Sequence, residues 1–384
     1  MIDLSSLSKD WITDKQKQYG RDPAIIESMV HALYLLERLK HSGLDFIFKG
    51  GTSLVLLMEK AARFSVDIDI IIAQNFKREV LEEYLKKVVE NSEGVFLEVR
   101  LDERRSYKAG IPKAHYIFTY KSPFVGRDKD GRVNQNPDRE ILLDVLFAEN
   151  PYPNLVQKPV LTEWVKLKSE PLIVTIPCIN SITGDKLVAF APNTTGVPYH
   201  RSSVNKDGET VQSEMFREIV KQLFDVGYLF DAMDDLSTFR KSYASSVTSE
   251  MKYRAERNIK SSEEVLKDTI ATALVLARRD KQANEVDKKN YAHINTGIGQ
   301  FAHFVYAGNF RIEHAQLASA KAAYLAAIIL TGYQGALVKF NEEIPLQDYL
   351  ISHPEYNFLN KQLKAVNKGE ALFYWWQAIR LLHS

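Results

Sequence analysis

Apolar residues recur at Ile26, Val30, Leu33 and Leu36, the spacing of one face of a helix. Asp22 stands where an N-cap belongs, Pro23 at the first helical position and Gly43 just past the end. A short apolar run at 45–48 predicts a strand, Lys49-Gly50-Gly51-Thr52-Ser53 a turn, and 54–61 a short helix. The stretch 65–72 reads as a strand, 77–89 as a helix, and 95–101, 114–120 and 141–147 as three more strands. Between the last two strands, residues 121–140 are polar and carry Gly126, Gly131 and Pro137, which predicts a long hairpin loop. After Pro151 and Pro153 the pattern changes. A strand at 172–176 leads into helical text, broken by a polar segment at 194–210 and resuming at 213–235, 262–279, 285–306, 313–331 and 368–383. The expectation is an α+β chain: an extension over 1–20, a mixed-sheet domain over 21–170 and an all-helical domain over 171–384.

Composition narrows the class. Of 384 residues 45% are hydrophobic and 11% aromatic, which excludes wholesale disorder. The single cysteine, Cys178, excludes a disulfide framework and any cysteine-based zinc site; a buried inert thiol is expected. Nine histidines lack metal-ligand spacing. Fifty basic residues face 49 acidic ones, so any attraction to a polyanion must be local. Such a patch exists at 104–139, where nine Lys/Arg face three acids; a solvated charged hairpin is the alternative. Phe373, Tyr374, Trp375 and Trp376 read as core or as an interface patch. The N-terminus is polar, and no apolar run approaches the ~18–20 residues a membrane span needs. A soluble, cytoplasmic protein without membrane contact is expected.

The candidate chemistry lies between residues 49 and 69. Adjacent glycines between a strand and a helix let the backbone approach a bulky group, and free amides at a helix start can seat a phosphate. Taken alone, the glycines are explained more simply by a tight strand-to-helix connection. Asp67 and Asp69 are two apart in a predicted strand, so their carboxylates share a face with Cα atoms about 7 Å apart. They suit a divalent metal, or are simply a solvated strand face. Asp144 interrupts an otherwise apolar strand, which calls for a metal or for a salt bridge to Lys or Arg. Three carboxylates behind a Gly-Gly turn suit two-metal phosphoryl chemistry.

The order Gly50-Gly51-Thr52-Ser53, then Arg63-Phe64-Ser65-Val66-Asp67-Ile68-Asp69, then a lone Asp144, resembles the polymerase-β-like nucleotidyltransferase superfamily. Its Arg-Phe-Ser-x-Asp-Ile-Asp form is similar to the AbiEii/AbiGii nucleotidyltransferase toxins of toxin–antitoxin and phage-defence loci. Ser181-Ile182-Thr183-Gly184-Asp185-Lys186-Leu187 resembles that family's second motif, and Lys221-Gln222-Leu223-Phe224-Asp225-Val226 its third. The likeness spans roughly 45–235. It implies that Asp67 and Asp69 hold metal and triphosphate, with Asp144 as third carboxylate. Gly50, Gly51, Thr52 and Ser53 would cradle the phosphates beside Ser65. Lys186 would contact the triphosphate and Asp225 would complete the site from the helical domain. Read without the family, Lys186 is a surface lysine and Lys221–Asp225 an i,i+4 ion pair. The implied activity is magnesium-dependent transfer of a nucleoside monophosphate from an NTP, with release of pyrophosphate, to an RNA such as a tRNA 3′ end, by a toxin paired with an antitoxin. Transfer to a small molecule or a protein hydroxyl is the alternative within enzymes, and a non-catalytic NTP-binding regulator the alternative outside them.

Overall fold

The first long helix forms where its punctuation stands. Asp22 accepts a hydrogen bond from the Ala24 amide at 2.8 Å, Pro23 opens the helix, and Gly43 follows with φ +87°. The computed structural model describes residues 1–58, 62–107, 111–125, 138–204, 208–281 and 283–383. They fall into two compact units. One comprises Met1–Asn150, Leu155–Cys178 and His303–Gly308; the other comprises Pro151–Asn154, Ile179–Ala302 and Asn309–Ser384.

In the first unit the order is α1 (Lys9–Tyr19), α2 (Pro23–His41), β1 (Ile47–Lys49), α3 (Gly50–Leu57), β2 (Ile68–Ile72), α4 (Arg78–Glu90), β3 (Phe96–Leu101), β4 (Lys113–Lys121), β5 (Asp138–Phe147), β6 (Leu155–Pro159) and β7 (Ile173–Pro177). The seven strands form one mixed sheet, ordered β3-β4-β5-β2-β1-β7-β6. β2 runs parallel to β5 and β1 parallel to β7, while the other neighbours are antiparallel. Alternation gives the sheet two faces. His31 of α2 stacks on Tyr120 of β4 at 3.8 Å, and Glu27 pairs with Arg139 of β5 at 3.0 Å. Tyr120 and Arg139 are register partners five positions from His115 and Asp144, so α2 covers one face while His115 and Asp144 lie on the other. The segment His303–Gly308 returns to this unit. The Phe64 amide donates to the Phe304 carbonyl at 2.8 Å, and Phe64, Trp164 and Tyr306 pack with ring centroids 4.7–5.1 Å apart.

The second unit holds α5 (Ile179–Ala189), β8 (His200–Val204), β9 (Thr210–Glu214), α6 (Phe216–Ala232), α7 (Leu236–Tyr253), α8 (Ser262–Arg278), α9 (Glu285–Phe301), α10 (Ile312–Leu330), α11 (Phe358–Leu363) and α12 (Glu370–Leu382). It departs from the expected all-helical region in one respect: β8 and β9 form an antiparallel hairpin where a polar interruption was expected. Residues 1–20 are not a separate extension, because α1 packs on α2 within the first unit. That unit continues past 170 because β7 joins β1 in the central sheet. No helix among the described residues is long and apolar enough to cross a membrane.

Candidate active site

The turn expected at 49–53 is already helix. α3 starts at Gly50, and its first residues dock onto the segment that leads into β2. Gly50 sits at φ +76°, and a Cβ there would collide with the Asp69 carboxylate. A Cβ on Gly51 would lie 2.6 Å from Arg63 Nη2 and 2.9 Å from Ser65 Oγ. Gly50 is therefore required by backbone conformation and by the Asp69 side chain, while Gly51 lies close against Arg63 and Ser65. Thr52 and Ser53 are fully buried: Thr52 Oγ1 donates to the Asp67 carbonyl and Ser53 Oγ to the Gly50 carbonyl at 2.9 Å. The bond from Thr52 takes the Asp67 carbonyl, and β2 begins only at Ile68, three residues after the expected start. The N-cap residue Lys49 makes no side-chain capping bond to α3, and backbone amides at a helix start are suited to an anion.

Four neighbouring strands place a polar row across the face opposite α2. Lys49 of β1 is in register with Asp69 of β2, Asp69 with Asp144 of β5, and Asp144 with His115 of β4. Asp69 and Asp144 thus stand one strand spacing apart, about 4.8 Å. His115 Nδ1 donates to Asp144 Oδ1 at 2.5 Å, and Arg105 Nη2 lies 3.7 Å from Oδ2. Burial pushes the Asp144 carboxyl up. The His115 hydrogen bond and the charges of His115, Arg105 and Lys113 outweigh burial and hold it below the ordinary aspartate range. Among the described residues no three His, Cys, Asp or Glu side chains converge as a ready-made metal site. His115 and Arg105 were not singled out from the sequence. Polar Lys113, His115 and Thr119 do mark one face of β4 by alternation, but only the register shows that His115 meets Asp144.

The first unit therefore gathers Gly50, Gly51, Thr52, Ser53, Ser65, Asp67, Asp69 and Asp144 around β1, α3, β2 and β5. Lys186 and Asp225 belong to the second unit. Lys186 is not a surface lysine. Its Nζ lies 2.9 Å from Asp225 Oδ2 and 3.1 Å from Gln222 Oε1, with side chains 6% and 0% exposed for the charged pair. Asp225 meets a cation from α5, rather than standing as one half of a surface pair with Lys221, whose Nζ lies 3.8 Å from Glu218. The basic residues Arg127, Lys129 and Arg132 lie outside the described residues.

A mixed sheet with a glycine-started helix beside two carboxylates in register, followed by helices, is an α+β arrangement consistent with a nucleotidyltransferase domain. The family model described as "Nucleotidyl transferase AbiEii toxin, Type IV TA system" matches residues 34–303. The chain belongs to that family, a class of nucleotidyltransferase toxins from type IV toxin–antitoxin systems. No curated protein matches it.

Three outcomes follow from this geometry. Gly50→Ala forces the Asp69 side chain away and adds positive-φ strain of about 1 kcal/mol or more, so chemical denaturation should show a loss of at least that size. Wild-type stability for Gly50→Ala would contradict the contact. Lys186→Ala strands a buried carboxylate and should cost about 3–5 kcal/mol, whereas Lys186→Met combined with Asp225→Leu should recover most of it. A single variant of wild-type stability would place the pair in water. Asp144 releases its proton at lower pH folded than unfolded. It therefore adds stability above the unfolded carboxylate range, and that contribution fades as pH falls through the folded value. Asp144→Asn should flatten the acid side of the stability–pH curve, and an unchanged acid limb would remove Asp144 from the balance.

Proposed function

We propose that the chain transfers a nucleoside monophosphate from an NTP to an RNA hydroxyl, with a tRNA 3′ end as acceptor, using magnesium and releasing pyrophosphate. In the cell it acts as a growth-inhibiting toxin held in check by a cognate antitoxin. The observation that carries the reading is the register pairing of Asp69 with Asp144 beside the α3 start, inside the region the family matches.

The donor set fits magnesium. The ligands offered are hard carboxylate oxygens, and magnesium commonly takes one or two of these and fills its shell with substrate phosphates and water. A site without a three-ligand protein cluster is thus compatible with it. Asp67 and Asp69 would hold the metal with the triphosphate, with Asp144 as the third metal-holding carboxylate. When bound, magnesium offsets the charge on the triphosphate and on the departing pyrophosphate. The α3 amides from Gly50 and Gly51 receive phosphate oxygens, with Ser65 beside them. His115 and Arg105 keep Asp144 ionised and fix its orientation, so that it accepts a hydrogen bond from the acceptor hydroxyl and helps its deprotonation. The acceptor oxygen bonds to the α-phosphorus as the α–β phosphoanhydride bond breaks. Lys186, fixed by Asp225, is the triphosphate contact of the second unit by family likeness.

Asp67→Asn, Asp69→Asn and Asp144→Asn should each reduce magnesium-dependent pyrophosphate release on the order of a thousandfold, with folding preserved by circular dichroism. Near wild-type release in Asp69→Asn would contradict the assignment. Labelled NTP should mark tRNA, and periodate oxidation of the tRNA 3′ diol should abolish the label. Label on protein or on a small metabolite alone would overturn the acceptor and leave the transferase reading intact.

A further inference from the structure

The aromatic run on α12 divides. Phe373, Tyr374 and Trp375 are buried core, but Trp376 is half-buried and lines a cavity of about 340 Å³. His353, His383 and Arg380 share that lining. The Arg380 guanidinium lies 4.9 Å from the Trp376 ring centroid, and the imidazoles of His353 and His383 stack at 4.1 Å. A second cavity, about 350 Å³, is lined by Arg279, Lys281, Phe358, Lys361 and Gln362. Arg278 covers one face of Phe358 at 5.5 Å. The two cavities lie at the ends of one tight turn, in which the His353 carbonyl accepts the Tyr356 and Asn357 amides at 3.0 and 2.9 Å.

Each cavity pairs an aromatic face with cations, and most of these cations are not neutralised. Arg278 is paired with Asp287 at 3.4 Å and Arg279 with Glu313 at 3.6 Å. Among the described residues no ion pair engages Lys281, Lys361 or Arg380, although Asp280 and Glu355 are nearby in sequence. Arg279 also holds φ +59°, a conformation non-glycine residues rarely keep. Half-buried rings beside unneutralised cations suit a ligand that is both planar and anionic. An unpaired nucleobase with its phosphate meets both demands, whereas a duplex hides its bases from stacking.

We propose that the two cavities form one strip for single-stranded RNA. Bases stack on Trp376 and Phe358, and phosphates run past Arg380, Lys361 and Lys281. Rings and point charges read no base edge, so binding along the strip is tolerant of sequence. Except for Arg278, Arg279 and Lys281, its residues lie beyond 303, where the family match ends. In taking RNA as the ligand, the inference rests on the proposed function.

Fluorescence anisotropy of a labelled single-stranded RNA on the full chain tests it, with the same sequence as duplex and a free mononucleotide as competitor. Trp376→Ala should weaken single-strand binding about tenfold, and Arg380→Gln, an exposed change that spares the fold, should also weaken it. Lys281→Gln with Lys361→Gln should flatten the log–log salt slope by roughly 1.4. The single strand should bind more tightly than the duplex, and calorimetric NTP affinity should be unchanged in all variants. Wild-type RNA affinity in every variant would overturn the strip, as would a tighter duplex with a neutral Trp376→Ala. A mononucleotide that binds more tightly than the RNA and displaces it would make this a small-nucleotide site and overturn the RNA assignment. Tight RNA binding lost in these variants, in a chain that labels no RNA, would uphold the strip and sink the acceptor reading instead.

Discussion

Two carboxylates held one strand apart are the constraint around which the first unit is arranged. At about 5 Å, like charges repel by about 1 kcal/mol in water and several-fold more at the lower effective dielectric of a protein surface. The β2–β5 register nevertheless fixes Asp69 beside Asp144, and the sheet supplies compensation from both sides. Lys49 is the next residue in the row beyond Asp69, while His115 and Arg105 reach Asp144. Across four strands the row reads Lys49, Asp69, Asp144 and His115, with the Arg105 guanidinium beside Asp144. A substrate with its own cation would meet an Asp144 carboxyl held below the ordinary aspartate range.

The same constraint accounts for the glycines. A Gly-Gly pair ahead of a helix is usually attributed to ligand access. Here Gly50 is needed because Asp69 occupies the space of its Cβ at a positive φ, and a Cβ on Gly51 would press on the Arg63 and Ser65 side chains. Thr52 then ties the Asp67 carbonyl to the helix start. The α3 start and the Asp67–Asp69 segment are thus tied together through Thr52 and through the close approach of Asp69 to Gly50.

Much of this was legible in the chain. The cap at Asp22, the strands around Asp69 and Asp144 and most of the later helices follow from local pattern, because each carries strong apolar periodicity or explicit punctuation. α1 and α7 did not stand out, since Lys9–Tyr19 is mostly polar and Leu236–Tyr253 is rich in Ser and Thr, which favour helices weakly. The edge strand β6 is short, and β8 and β9 are polar. The candidate carboxylates were legible as residue types, but their partners were not. That His115 meets Asp144, and that Lys186 is buried against Asp225, depends on strand register and helix packing between positions 29 and 39 residues apart. Spacing along the chain carries no trace of such pairings.

The central claim is that the Asp69–Asp144 pair is a seat for a nucleotide-bound cation rather than a static ion-pair network. A crystal structure of the full chain with manganese and a non-hydrolysable NTP tests it most directly. The account predicts an anomalous peak at coordination distance, about 2.1 Å, from both Asp69 and Asp144, with triphosphate oxygens completing the shell and the α3 amides facing phosphate. A nucleotide bound elsewhere, or manganese that ignores these two carboxylates while Asp144 stays engaged with His115 and Arg105, would contradict it.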